Sequence, residues 1–322
     1  MSDAGADWRP TASPERLQLR AALLGRTRAF FAARQVLEVD TPALVNAAVT
    51  DVHIHSLAVE VGTPPNRFLH TSPEYAMKRL LAAGSGDIYQ ICHVARGFEQ
   101  SRLHNTEFTL VEWYRLGFDL TMLMDEVEAL VGALCTAHPA LQRPAERLSY
   151  GEAFVRHTGL DPFAATMPQL QEVVAPLGYR DAAQRDELLD LIMGAMIGPV
   201  LGHEAPTFIY GYPASQAALA RLDPQDPRTA QRFELYLAGV ELANGFHELA
   251  AAAEQRLRFA QDLHERARRG LPASPMDERL LAALEHGLPE CAGVAVGFDR
   301  VAMLAAGAAH IHEVLPFPTP SA

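Results

Sequence analysis

Between Ser13 and Gln35 the run "SPERLQLRAALLGRTRAFFAARQ" places apolar residues at helical spacing behind a Ser13 cap and a Pro14 first-turn residue, which predicts a helix. "VLEVDTPAL" follows, with Val36 and Val39 suggesting a short strand that Thr41-Pro42 ends. "TSPEYAMKRLLAAG" repeats the helix grammar, with Ser72 as cap, Pro73 first, Glu74 in the first turn and Gly84 closing. Two β-type runs, "IYQICHV" and "EFTLVEWYR", precede helical material from about Thr121 to Cys135. The link "AHPALQRPAERLSY" then leads into a mostly helical insert at about 140–200. Strands return at "PTFIYGYP", "RFELYLAG" and "VELANGFHEL", followed by helices ending at Gly270 and Gly287 and a strand that passes into a helix in "GVAVGFDRVAML". Strands pair with sequence neighbours instead of alternating strictly with helices, so an α+β fold with an antiparallel sheet flanked by helices is expected.

Composition narrows the function. Lys and Arg number 27 against 39 Asp and Glu, a net charge of −12, so the surface as a whole repels phosphate backbones and nucleic acid is not the default partner. The basic stretch "HERARRG" reads as the last turn of a helix. Cys92, Cys135 and Cys291 are odd in number and form no CxxC pair, which fits a reducing cytoplasm better than a disulfide framework or a zinc site. No run approaches the roughly 20 apolar residues that span a bilayer, so no membrane association is expected.

Three stretches concentrate chemistry. On a strand, "EFTLVEWYR" sends Phe108, Leu110, Glu112 and Tyr114 to one face and Glu107, Thr109, Val111 and Trp113 to the other. Taken alone, that first face is either half-buried packing or a ligand face. The upstream arm carries Arg96, Arg102 and His104, and guanidinium groups match phosphate oxygens while a flat ring such as Phe108 can stack a base. In "RFELYLAGVELANGFHEL" a two-residue Ala238-Gly239 turn would pair Leu237 with Val240 and bring Glu234 and Glu241 to one face. Two such carboxylates, with water and phosphate oxygens, can hold Mg²⁺; a solvated acidic hairpin is the other reading. Regular pairing would turn Asn244 away, and a bulge at Asn244-Gly245 would return Asn244 and Glu248 inward.

In the third stretch, Gly293 and Gly297 let a ligand approach the backbone, and Arg300 sits at a helix N-terminus that favours an anion. No GxGxxG, GxxxxGK[ST] or GxSxG occurs, which removes a dinucleotide fold, a P-loop and a nucleophile elbow. His53 and His55 share a strand-like run without a third ligand and read as surface or packing residues.

These stretches form a set. "FEQSRLHNTEFTLVEWYR" resembles motif 2 of class II aminoacyl-tRNA synthetases, "GVAVGFDRVAML" resembles motif 3, and "VLEVDTPAL" resembles motif 1. "SPEYAMKRLL", "RFELYLAGVELANGFHEL" and "EHGLPECAGVAVGFDR" are similar to the lysyl branch. Lysyl-tRNA synthetases carry an N-terminal anticodon-binding barrel, for which this chain leaves about ten residues. That gap, with "DWRP" and "AVTDVHI", resembles the elongation factor P-lysine ligase family, truncated paralogues built as one synthetase catalytic domain spanning 1–322 here. The resemblance implies ATP-dependent activation of lysine, preferably (R)-β-lysine, as an adenylate. Transfer to a lysine of elongation factor P follows, with tRNA an unlikely acceptor and motif 1 forming a homodimer.

Roles follow position by position. The resemblance implies that Arg96 holds the α-phosphate and the substrate carboxylate, and Arg300 the γ-phosphate. His104, Asn105, Leu242 and the Gly297 backbone would lie by ATP, with Phe108 stacking adenine. Glu234 and Glu241 would carry Mg²⁺, while Ser72, Pro73, Glu74, Glu112, Tyr114, Asn244 and Glu248 would bind lysine. One departure stands out: the family's Arg-x-Glu reads Arg96-Gly97-Phe98-Glu99 here, and the resemblance sets Gly97, Phe98 and Glu99 by ATP. Either Glu99 replaces the motif glutamate by a one-residue shift, the favoured reading, or the loop meets ATP mainly through its backbone. A minimal synthetase charging tRNA and a non-catalytic lysine-binding paralogue are the competing readings.

Overall fold

The computed structural model describes residues 8–62, 67–179 and 184–322. Strands are β1 Leu37–Glu38, β2 Leu44–Val45, β3 Ala58–Val59, β4 Arg67–Leu69, β5 Ile88–Ala95, β6 Glu107–Leu116, β7 Glu146–Ser149, β8 Thr207–Pro213, β9 Thr229–Leu237, β10 Val240–His247 and β11 Cys291–Gly297. The α-helices are α1 Pro14–Ala32, α2 Glu74–Ala82, α3 Leu120–Leu134, α4 Tyr150–Thr158, α5 Met167–Val174, α6 Arg185–Ile192, α7 Ala252–Arg268, α8 Glu278–Gly287 and α9 Phe298–Ala305.

Eight strands form one sheet in the order β1-β5-β6-β11-β10-β9-β8-β7, and β2, β4 and β3 form a small second sheet. The large sheet is antiparallel through its centre, as expected. Its two edge pairs, β1 with β5 and β7 with β8, are parallel. Both edges are short strands paired across long stretches of chain, a pairing that local patterning does not encode. For the same reason motif 1 contributes only Leu37–Glu38 instead of a strand reaching Val39 and beyond, and β7 arises inside what reads as a link.

Local chemistry explains most element ends. Ser13 accepts a hydrogen bond from the Arg16 amide at 3.4 Å, and Ser149 with Glu152 closes a capping box on α4. Ser72 Oγ accepts from the Glu74 amide at 3.0 Å, but α2 starts at Glu74, so Pro73 and not Ser72 stands at its N-cap. The Ala238-Gly239 turn has positive φ at both residues (52° and 72°) and pairs Leu237 with Val240, which is the type I′ geometry of a tight hairpin.

One face of the sheet packs on α1, α3 and α9 through Phe31, Val111, Trp113, Val127 and Val301. Met77, Leu81, Phe259, Leu280 and Leu284 from α2, α7 and α8 pack with Tyr114 on the other side. Helices α4 to α6 bury their own cluster with Tyr212 and Tyr236 of the sheet. Among the described residues no helix is long and apolar enough to cross a membrane.

Candidate active site

A cavity of about 1680 Å³ opens over the sheet, and Phe108, Leu110, Glu112 and Tyr114 of β6 all line it. The alternation of an extended strand therefore sends these four one way, while Val111 and Trp113 enter the core behind. Thr109, also facing back, donates its amide to Asp299 of α9 at 2.8 Å, and Arg20 of α1 bridges both side chains. The motif 3 helix is thereby fastened to the motif 2 strand.

At the outer end of β6 stand the groups suited to a nucleotide. The Arg96 guanidinium lies 5.1 Å from the Phe108 ring centroid and donates through Nε to the Thr71 carbonyl at 3.2 Å. Arg300 donates to the Glu241 carbonyl at 2.8 Å, to the Leu103 carbonyl at 3.3 Å and to His104 Nε2 at 2.7 Å. Burial, then the Arg300 and Arg96 charges, push His104 down to about 4, so its imidazole is neutral. Since Nε2 accepts from Arg300, the ring proton sits on Nδ1 and is donated to Ser101 Oγ at 2.7 Å.

Asn105 lines the cavity, but its amide is spent on the Glu107 carbonyl at 2.6 Å and on the Thr319 amide at 3.0 Å. It shapes the loop and ties down the C-terminal segment. A side chain at Gly297 would touch only the Arg300 stem, at 3.6–3.9 Å, so this glycine leaves open room beside the arginine. Gly293 also lines the cavity, and a Cβ there would collide with the Tyr114 ring and Glu248 Oε1, so its absent side chain makes room for these two.

At "RGFE" the two neighbours Phe98 and Glu99 face different ways. Phe98 has φ +64°, is 89% exposed and points away from the cavity, its ring against His55 at 5.1 Å. Glu99 lines the cavity with its carboxylate 4.0 Å from Arg96 Nη1. Gly97 lies outside the cavity and donates to the His55 carbonyl at 2.7 Å. His55 thus supports this loop, and His53 belongs to a turn instead of a strand.

At the inner end is a nest of carboxylates. Glu112 accepts from Ser72 Oγ and from the Tyr114 hydroxyl, both at 2.7 Å. Burial and the neighbouring Glu74 push Glu112 up to about 7, against these two hydrogen bonds. Burial also pushes Glu248 up, and Lys78 opposes it from 2.5 Å. Pro73, Glu74 and Asn244 complete this wall.

Asn244 reaches it by a route that differs from the expected one. The bulge lies between Glu241 and Ala243, at Leu242, not at Asn244-Gly245, and Gly245 keeps ordinary φ. The extra residue at Leu242 shifts the phase of β10, so Glu241, Asn244, Phe246 and Glu248 all line the cavity. Glu234 lies directly across from Asn244 but does not line the cavity; Arg232 holds one of its oxygens and the Tyr236 hydroxyl the other, at 2.6 Å.

This constellation is matched by known sequences. The family model of class II tRNA synthetases (D, K and N) matches residues 3–321. An elongation factor P--(R)-beta-lysine ligase of Vibrio cholerae is 51% identical over 98% of this chain and 99% of its own length. Those of Vibrio vulnificus (50%, 98% and 99%) and Klebsiella pneumoniae (49%, 97% and 97%) are similarly close. This chain belongs to the elongation factor P–(R)-β-lysine ligase family, within the class II tRNA synthetases.

The family's chemistry implies Mg²⁺. Mg²⁺ is commonly held by one or two carboxylates together with substrate phosphates. Glu241 faces the cavity, where burial and then Glu234 raise its pKa and Arg300 lowers it, so a cation beside it relieves real repulsion. Glu234 stands behind with both oxygens already hydrogen-bonded. The residues fit an ion carried in with a nucleotide, with Glu241 as the accessible carboxylate.

Two members of this ligase's site escape motif reading. Arg232 binds Asn244 Oδ1 at 3.2 Å as well as Glu234, and its signal is its place two residues before Glu234 on the same strand face. Lys78 is buried between Glu74 and Glu248, and two signals point to it. It follows Glu74 by four residues, and it is the only lysine in the chain.

Proposed function

We propose that this protein uses ATP to activate (R)-β-lysine, or lysine, as an aminoacyl-adenylate and transfers the aminoacyl group to a lysine side chain of elongation factor P. What supports this reading most is that one strand serves both halves of a single cavity, Phe108 beside Arg96 at one end and Glu112 with Tyr114 at the other. An adenine and triphosphate need a ring and guanidinium groups; a diamino acid needs buried carboxylates.

Activation is an in-line attack of the substrate carboxylate on the α-phosphorus, with pyrophosphate leaving. It asks for no covalent nucleophile. Arg96 would hold the reacting carboxylate and α-phosphate, and Arg300, clamped to the Glu241 carbonyl and His104, is set before charge develops. A neutral His104 lets Arg300 keep its charge for the nucleotide. Mg²⁺, held by Glu241 with Glu234 behind it, would neutralise phosphate oxygens. Glu74, Glu112 and Glu248 would take the substrate's ammonium groups.

We take the chain to act as one catalytic domain with a helical insert, as a cytoplasmic homodimer, with tRNA a poor acceptor for a surface of net charge −12. The test incubates pure protein with ATP and either α-lysine or (R)-β-lysine, then adds elongation factor P or tRNA. Gain of mass by elongation factor P is the expected result, and charging of tRNA alone would overturn the reading; sedimentation checks the dimer.

A further inference from the structure

Of 27 lysines and arginines in the chain, only residue 78 is lysine. It is 1% exposed, on α2, with its ammonium 2.7 Å from Glu74 Oε1 and 2.5 Å from Glu248 Oε2. Glu74 lies on its own helix, while Glu248 follows β10. Glu112 and Tyr114 face the cluster from β6, and Cys291 of β11 adds a thiol that burial pushes up. An ammonium is compact with three freely directed donors, whereas a guanidinium is a wide planar fork. A chain that uses arginine everywhere else keeps the compact cation here, where two carboxylates from different elements close on one point.

We propose that Lys78 is a positioning residue that sets the charge of the amino-acid pocket, its built-in ammonium leaving three carboxylates with two negative charges to offer. Two is the number of ammonium groups on a diamino acid whose own carboxylate goes to Arg96, so the inference rests on the diamino-acid reading of this pocket. Without Lys78, Glu74, Glu112 and Glu248 are three clustered carboxylates, two of them buried, with no fixed cation, and such a group takes up a proton. Substrate would then have to expel that proton to bind. With Lys78 in place, its ammonium lies between Glu74 and Glu248, 2.7 and 2.5 Å from them, and keeps both carboxylates aimed while the pocket awaits substrate.

The test compares wild type with Lys78→Met, above the titration range of Glu112, by calorimetric titration of (R)-β-lysine at pH 8 in two buffers of different ionisation heat. Lys78→Met should release at least about half a proton more than wild type on binding. In pyrophosphate exchange, the KM of Lys78→Met for (R)-β-lysine should be at least about tenfold higher at pH 7 and fall toward the wild-type value by pH 9, with kcat within about threefold. A merely structural lysine would not move proton release.

Wild-type KM and proton release in folded Lys78→Met overturn the proposal. If Lys78→Met does not fold, Lys78→Met/Glu248→Gln restores two negative charges: recovery of the fold supports the proposal, and failure to recover overturns it. Exchange by wild type that needs no diamino acid would overturn the functional reading and the charge count together. Diamino-acid-dependent exchange unaltered by Lys78→Met would overturn the charge count alone.

Discussion

The Tyr114 hydroxyl donates to Glu112 Oε1 at 2.7 Å, two positions along the same strand, and Ser72 Oγ donates to the other oxygen at the same distance. A buried carboxylate is thus aimed by two neutral donors and left without a cation of its own. Tyr114→Phe removes one donor while keeping the ring that packs with Met77 and Phe259. Leaving a buried acceptor short of a partner costs about 1–3 kcal/mol. The KM for (R)-β-lysine should therefore rise about tenfold, with the ATP KM unchanged and the melting temperature little altered; equal rises in both KM values would show that Tyr114 serves the whole cavity.

The raised pKa of Glu112 gives a pH dependence with a definite sign. Its folded value of about 7 exceeds the ordinary 4.5, so the stability it contributes is present below pH 4.5 and is lost as pH rises through 7. Substrate affinity runs the other way, because an ammonium needs the ionised form. The KM for (R)-β-lysine should increase about tenfold per pH unit below pH 7, and Glu112→Gln should have a higher KM without that slope. A slope that survives Glu112→Gln would assign the titration to another group.

Arg300 connects three segments, reaching the Glu241 carbonyl, the Leu103 carbonyl and His104. Arg300→Ala should reduce ATP–pyrophosphate exchange by about 10²-fold or more, the usual cost of one preorganised donor to a developing charge. Circular dichroism and melting should show a folded protein, since α9 is held independently by Asp299 on Thr109 and Arg20.

Phe98 and Glu99 are adjacent and face opposite ways, one into solvent and one into the cavity. Phe98→Gly relieves a positive φ and should leave exchange within about twofold of wild type. Glu99→Gln should raise the ATP KM severalfold. Reversed outcomes would mean that the motif 2 glutamate has no substitute here and that the aromatic ring meets substrate in the complex.

Under the proposed mechanism the activated intermediate is an adenylate that reacts with lysine amines, and the one lysine of this chain is buried. With Lys78 1% exposed and ion-paired, and its pKa raised by Glu248 and Glu74 against burial, the folded protein offers no lysine side chain to its own intermediate. Peptide mass spectrometry after prolonged incubation with ATP and (R)-β-lysine should find Lys78 unmodified, and modified only after unfolding. Modification of Lys78 in the native state would show that the pocket opens.

What the amino-acid sequence determined alone is what depends on near neighbours. The face shared by Phe108, Leu110, Glu112 and Tyr114 follows from strand alternation, the Ala238-Gly239 hairpin from turn chemistry, and the start of α2 from Ser72 and Pro73. Motif spacing similarly brought the two ends of the cavity within reach of reading. Tertiary structure alone decided the bulge at Leu242, the capture of Glu234 by Arg232, the parallel edge pairs of the sheet and the meeting of Lys78 with Glu248 across the chain. These depend on register and burial, which the residue pattern along one segment does not settle. A one-residue slip reverses a strand face, and a carboxylate's charge depends on neighbours that no local pattern names.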